Sequence, residues 1–179
     1  MRAPRVFVSK LVLGALVAAL LAVVLPAAPA HAAYAGYVGD DYPSTYKYQS
    51  SVYAGDKWGF TQRQCVSFAA WRMARQKRPI ANTQGWGSAW HWDNAAKALG
   101  KRVTTTPKVG AIAQWNANES SYYKNSYGTV TFKAGSYGHV GYVSYVYSDG
   151  SVLIEQYNAN VKRGWSKMRM KAPRYIYVY

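Results

Sequence analysis

The sequence predicts an α+β domain, with helices in its first half and an antiparallel strand pair in its second. Three patterns carry that reading. Val66, Ala69, Ala70 and Met73 recur at helical spacing, and Pro79 follows the run. A second helical stretch runs from Ser88 to Leu99 and stops at Gly100. From His139 to Tyr147 the chain then alternates as a strand, and it returns from Ser151 to Asn158 across Ser148-Asp149-Gly150, a hairpin with a glycine in its turn.

Residues 1–32 have the layout of a secretory signal peptide. Arg2, Arg5 and Lys10 precede the apolar run Leu11–Leu25, and Pro26, Pro29 and the small-x-small triplet Ala30-His31-Ala32 follow. The run is shorter than the roughly 20 residues a membrane span needs, so no stable membrane anchor is expected after cleavage. Residues 33–57 read as a lead-in and residues 58–179 as the working domain.

The chain carries 22 basic and seven acidic residues. Three of the basic residues and none of the acidic ones lie in the leader, which leaves +12 on the exported part. A strongly basic protein meets anionic partners. Outside a bacterium these are anionic cell-wall polymers. Nucleic acid is not the expected partner, because no recognition motif accompanies the charge. A monomer is the default expectation.

Exported proteins use cysteines in pairs, yet this chain has one, so no internal disulfide is possible. Cys65 follows the loop Gly59-Phe60-Thr61-Gln62 and falls in the first turn of the first helix. Arg72, Arg75, Lys77 and Arg78 crowd the other end, as the helix dipole favours. A thiol at a helix N-terminus is expected to titrate below the usual ~8.5, and the free N–H groups there suit an oxyanion.

A cysteine nucleophile needs a base, normally histidine, held by a third group. After the leader only His91 and His139 remain. His91 lies between Trp90 and Trp92 on the second helix, a packing position. His139 opens the hairpin. If the turn makes paired residue numbers sum to 299 or 297, Gln156 and Asn158 share its face; a three-residue loop with a glycine bulge gives 298 and brings Glu155 round instead. Asn158, the nearest by spacing, or Gln156 is the favoured orienter and Glu155 the alternative. One cysteine and two histidines without paired carboxylates make no zinc set. Phosphate-binding and dinucleotide loops and a Gly-x-Ser-x-Gly elbow are also absent. No metal or organic cofactor is expected.

The segment Arg63-Gln64-Cys65-Val66-Ser67-Phe68-Ala69-Ala70-Trp71-Arg72 resembles the cysteine motif of the CHAP family (cysteine, histidine-dependent amidohydrolase/peptidase). Three further stretches fit that family in order: Gly87–Trp92, Pro107–Ala113 and Tyr137–Val143. Gly150–Val152 through Tyr157-Asn158 complete the pattern, which covers residues 58–179. The resemblance implies a papain-like fold of the NlpC/P60 type, with the cysteine helix packed on an antiparallel sheet that carries the histidine. It also implies hydrolysis of peptidoglycan amide bonds, at the glycan–peptide junction or within stem and bridge peptides. Cys65 is then the nucleophile, His139 the base and Asn158 a polar site residue. Gln156 stands where the family commonly has Glu, and Glu155 is one residue off. Gln64 or Gln62 would polarise the carbonyl, as a glutamine does in papain-like enzymes. Trp58, Trp92, Trp115 and Tyr137 lie near the motif loops and are candidates to line a substrate groove. Residues 116–135, rich in Asn, Ser and Tyr, read as a surface excursion that acts as a specificity loop.

Overall fold

The computed structural model describes residues 39–51 and 53–179; the leader expected over residues 1–32 lies outside the described residues. Three helices come first: α1 (Ser44–Lys47), α2 (Cys65–Arg75) and α3 (Trp92–Ala98). Eight strands follow: β1 (Arg102–Thr104), β2 (Ile112–Trp115), β3 (Ser120–Asn125), β4 (Gly128–Lys133), β5 (His139–Val146), β6 (Val152–Tyr157), β7 (Trp165–Met170) and β8 (Arg174–Tyr177). Six of them form one antiparallel sheet in the order β1-β8-β2-β5-β6-β7, while β3 and β4 pair only with each other. The architecture is α+β, as expected.

Both faces of the sheet are covered, which explains the composition of its central strands. On β5, Val140 and Tyr142 pack against Ala69, Ala70 and Met73 of α2, with Ile112 and Ile176 completing that core. Val143 points the other way, into a second core with Trp115, Val152, Ile154 and Tyr123 of β3. With apolar neighbours on both sides, the first six residues of β5 are all buried, and the polar-out half of the alternation disappears.

Helix α2 lies where its periodicity places it, with Arg72 and Arg75 in the last turn. The second helix is shorter than its pattern. Ala89–His91 form a 3-10 turn before α3 begins at Trp92. The Trp90 N–H donates to Tyr137 O (3.1 Å), tying this turn to the segment that leads into β5. The 116–135 excursion is likewise more ordered than a surface loop. It folds into the β3–β4 hairpin and lies on the sheet, with Trp115 Nε1 donating to Ser121 Oγ (2.9 Å) and Glu119 bridging to Arg174. The described part of the lead-in packs on α2. Tyr42 is buried between Phe68 and Tyr157, and Asp41 pairs with Arg72 and Arg75.

Candidate active site

Cys65 is the first residue of α2, after Gln64, whose extended backbone (φ −104°, ψ 160°) turns the chain into the helix. Arg63, just before, occupies the left-handed region (φ 61°). It is held there by its Nε–H to Arg163 O (3.1 Å) and by its N–H to Tyr42 Oη (3.3 Å). Below the helix start, Asp56 accepts from the Trp58 and Phe60 amides and from the Ser67 hydroxyl. These bonds fix the loop that delivers the cysteine.

His139 reaches the same place from the sheet. It is the first residue of β5, paired with Trp115 on β2. Gly138 before it has φ 72°, and a Cβ there would stand 2.6 Å from both Trp115 O and Trp90 N, so only glycine lets β5 approach this closely. Cys65 and His139 line one cleft of about 290 Å³, together with Gln64, Phe132, Tyr137 and Asn158. A second cleft, about 400 Å³, opens on the other side of Cys65 and is lined by Gln64, Tyr137, Ser88 and Arg163. The cysteine thus sits at the junction of two grooves.

The third group is Gln156. Its Oε1 lies 2.8 Å from His139 Nε2, while its Nε2 donates to Ser166 Oγ at 3.4 Å. An amide oxygen only accepts, so Nε2 of the imidazole carries the proton and Nδ1 keeps its lone pair. Glu155, the alternative, does not face His139. It is fully buried on the opposite side of β6, in an ion pair with Arg72 of α2.

The register explains both results. The turn is the three-residue loop Ser148–Gly150, with Gly150 at φ 76° and paired numbers summing to 298 at Tyr145↔Leu153 and Val146↔Val152. That loop alone would have brought Glu155 round. A β-bulge at Ser144 then drops the sum to 297 at Val143↔Ile154 and Tyr142↔Glu155, which returns Gln156 to the histidine's face.

Asn158 has a different partner from the one its spacing suggests. It lies past the end of β6 with φ 53°, donates Nδ2–H to Gln64 Oε1 (2.6 Å) and accepts the Arg163 N–H on Oδ1 (2.8 Å). It therefore orients Gln64, whose amide is fixed at the mouth of both clefts. Gln62 is occupied elsewhere, donating to Gly55 O (2.7 Å). Tyr137 is largely exposed and lines both grooves, but Trp58 and Trp92 are core residues rather than groove residues. Trp115 is also fully buried. It packs with Phe132 around the histidine, the ring centroids 5.9 Å and 5.1 Å from that of His139. His91 lies on the surface, stacked on Trp90.

That aromatic enclosure sets the electrostatics. Burial lowers His139 from 6.5 to about 4, opposed by the bond to Gln156. Burial also pushes the Cys65 thiol up, against the amides of Val140, Val66 and Cys65. The sequence predicts a thiol depressed by the helix N-terminus; in the folded chain desolvation outweighs that dipole. Burial thus favours the neutral form of both partners. Ser166 and Phe132 carry no motif that marks them as neighbours of the site; only the register of β7 and the β3–β4 hairpin bring them in.

The CHAP domain family's sequence model matches residues 55–158. The chain belongs to the CHAP-domain family. Staphylococcal secretory antigen SsaA of Staphylococcus aureus is 36% identical over 109 residues, which cover 61% of this chain and 34% of that protein. Staphylococcal secretory antigen ssaA2 is 35% identical over 109 residues, covering 61% and 33%. An N-acetylmuramoyl-L-alanine amidase from Staphylococcus aureus has a similar structure, with TM-score 0.55 and 26% identity over 72% of this chain and 34% of that one. The chain spans about a third of the length of these relatives. The CHAP domain here has few helices packed on an antiparallel sheet. Among the described residues no helix is long and apolar enough to cross a membrane, and no group of His, Cys, Asp and Glu could hold a metal.

Proposed function

We propose that this protein is a secreted peptidoglycan hydrolase that cleaves an amide bond through Cys65 and His139. The observation that carries the reading is their shared cleft, with Gln156 holding Nε2–H so that Nδ1 is the free basic nitrogen. Membership of the CHAP family and the likeness to an amidase structure support the substrate class. The signal-peptide layout of residues 1–32 and the names of the secretory antigens support export.

In this mechanism the substrate carbonyl carbon lies over the Cys65 sulfur. His139 Nδ1 takes the thiol proton as sulfur attacks, so charge develops only once substrate has displaced water. The oxyanion takes hydrogen bonds from N–H groups at the start of α2 and from the Gln64 amide, which Asn158 pre-orients. The imidazolium gives its proton to the leaving amine as the C–N bond breaks. His139 then activates a water, which releases the acyl group and restores the thiol. Gln156 stabilises imidazolium less than a carboxylate would, so turnover is modest. The bond cut is either the muramoyl–alanine amide or one within the stem or bridge peptides.

A second reading is a wall-binding protein with little turnover. The burial of the pair favours it, since burial opposes ionisation at both partners. Digestion of purified peptidoglycan, with products weighed by mass spectrometry, separates the two. Soluble fragments whose masses place the cut at a sugar–peptide or peptide–peptide amide are expected. Retention of the protein on intact wall with no fragments released would establish the second reading.

A further inference from the structure

A third groove lies at the opposite end of α2 from Cys65. It has a volume of about 490 Å³, and its floor and walls are apolar: Ile80, Trp86, Leu99 and Val178. Its rim is cationic, formed by Lys77 and Arg78 just beyond the helix and by Lys101 before β1. The cationic surface continues past this rim. Arg78 lies over the ring of Tyr179 (4.1 Å), which Lys108 also covers (4.5 Å), and Arg102 lies over Tyr177 (5.5 Å). Five basic residues therefore converge on one end of the molecule.

Among the described residues no acidic side chain answers them. All seven acidic side chains of the chain are engaged elsewhere. Asp40 pairs with Lys47, Asp41 with Arg72 and Arg75, Asp93 with Lys97, Glu119 with Arg174, Asp149 with Arg169 and Glu155 with Arg72. Asp56 is held under α2 by Ser67 and two backbone amides. Like charges gathered without counter-charge repel one another, and a bound polyanion relieves that repulsion.

From this we propose that the groove is a binding site for a flexible phosphodiester polymer with an aliphatic repeat, of the poly(glycerol phosphate) kind. Phosphates would lie on Lys77, Arg78 and Lys101, and the aliphatic repeat would lie along Leu99 and Val178. The aromatic groups distinguish this ligand from a nucleic acid, which binds by stacking its bases on open rings. Here the ring of Tyr179 is covered by Arg78 and Lys108 and stacks on Tyr177 (centroids 5.5 Å apart, planes 7° apart), and Trp86 is buried, so neither ring is an open platform. The site is remote from Cys65, so it would hold the protein on a polymer while the catalytic clefts stay free. It does not depend on Cys65 being a nucleophile.

The test uses soluble poly(glycerol phosphate) and the whole protein, with binding read by calorimetry at physiological salt. A groove variant, Lys77→Asn with Arg78→Gln and Lys101→Gln, is compared with Lys124→Gln, Lys162→Gln and Lys171→Gln, which remove the same charge elsewhere. Asparagine is chosen at position 77 because that backbone is left-handed (φ 59°). The expected result is at least tenfold weaker binding for the groove variant, less than twofold for the control, and unchanged binding for Cys65→Ala. Should the groove triple melt early, Lys77→Asn with Lys101→Gln spares the Arg78 ring contact and is expected to lose at least threefold. Equal losses in groove and control variants would overturn the site in favour of diffuse attraction. Tighter binding of a single-stranded oligonucleotide than of the polymer, lost in the groove variant, would overturn the assignment of ligand.

Discussion

At the scale of single residues, the structure turns on which amide meets which ring. Cys65 and His139 were both legible in the sequence: one stood as the only cysteine of the chain, and the other opened a strand whose neighbours could be enumerated. The third residue was not legible, because hairpin parity alone left Gln156, Asn158 and Glu155 open. Gln156 meets the imidazole, Asn158 meets Gln64, and Glu155 meets Arg72. Gln156→Ala is expected to lower kcat by roughly 10²-fold with KM little changed, since it frees the imidazole without touching the grooves. Gln156→Glu is expected to raise the His139 pKa by about 1–3 units above its present value of about 4, which an NMR titration of the ring would read. The same burial makes stability depend on pH. Above pH 6.5 the folded and unfolded histidine are both neutral. As pH falls from 6.5 towards 4 only the unfolded chain takes the proton, so stability declines across that window, by about 3 kcal/mol in full. Denaturant midpoints measured from pH 7 to 4 should fall for the native protein and fall less for His139→Phe.

Among the elements, those with strong local periodicity were read correctly and those defined by contacts were not. Helix α2 has four apolar positions at helical spacing and a cationic end, and it forms where expected. The β5–β6 pair was also found, but its β-bulge at Ser144 has no turn residue to announce it. The excursion between Trp115 and His139 has few apolar residues. It becomes the β3–β4 hairpin because Tyr123 and Phe132 find partners on the sheet. Two substitutions test these roles. Phe132→Ala removes one of the rings that enclose His139 and should move the histidine pKa up towards 6.5 with a small loss of stability, both measurable by titration and chemical denaturation. Glu155→Ala leaves the buried Arg72 with Asp41 as its ion-pair partner and Gly39 O as an acceptor, and should cost about 3 kcal/mol in denaturation, while the His139 titration stays where it is. A shift of the histidine with this variant would return Glu155 to the site.

Across the whole molecule, both faces of one sheet contribute to the candidate site. The α2 face presents the sulfur at its N-terminal end and a cationic groove at its C-terminal end, and the β3–β4 face closes over the histidine. The order of periodic segments and motifs along the chain was enough to reach the α+β class and the CHAP resemblance. The aromatic residues were less informative, because an aromatic side chain beside a motif reads the same whether it lines a groove, like Tyr137, or fills the core, like Trp58 and Trp92. The most direct measurement of catalysis is the rate at which soluble fragments leave purified peptidoglycan, taken side by side for the native protein and Cys65→Ala. Release by the native protein and none above background by Cys65→Ala is the expected result. Equal release by the two would contradict the assignment of Cys65 as the nucleophile.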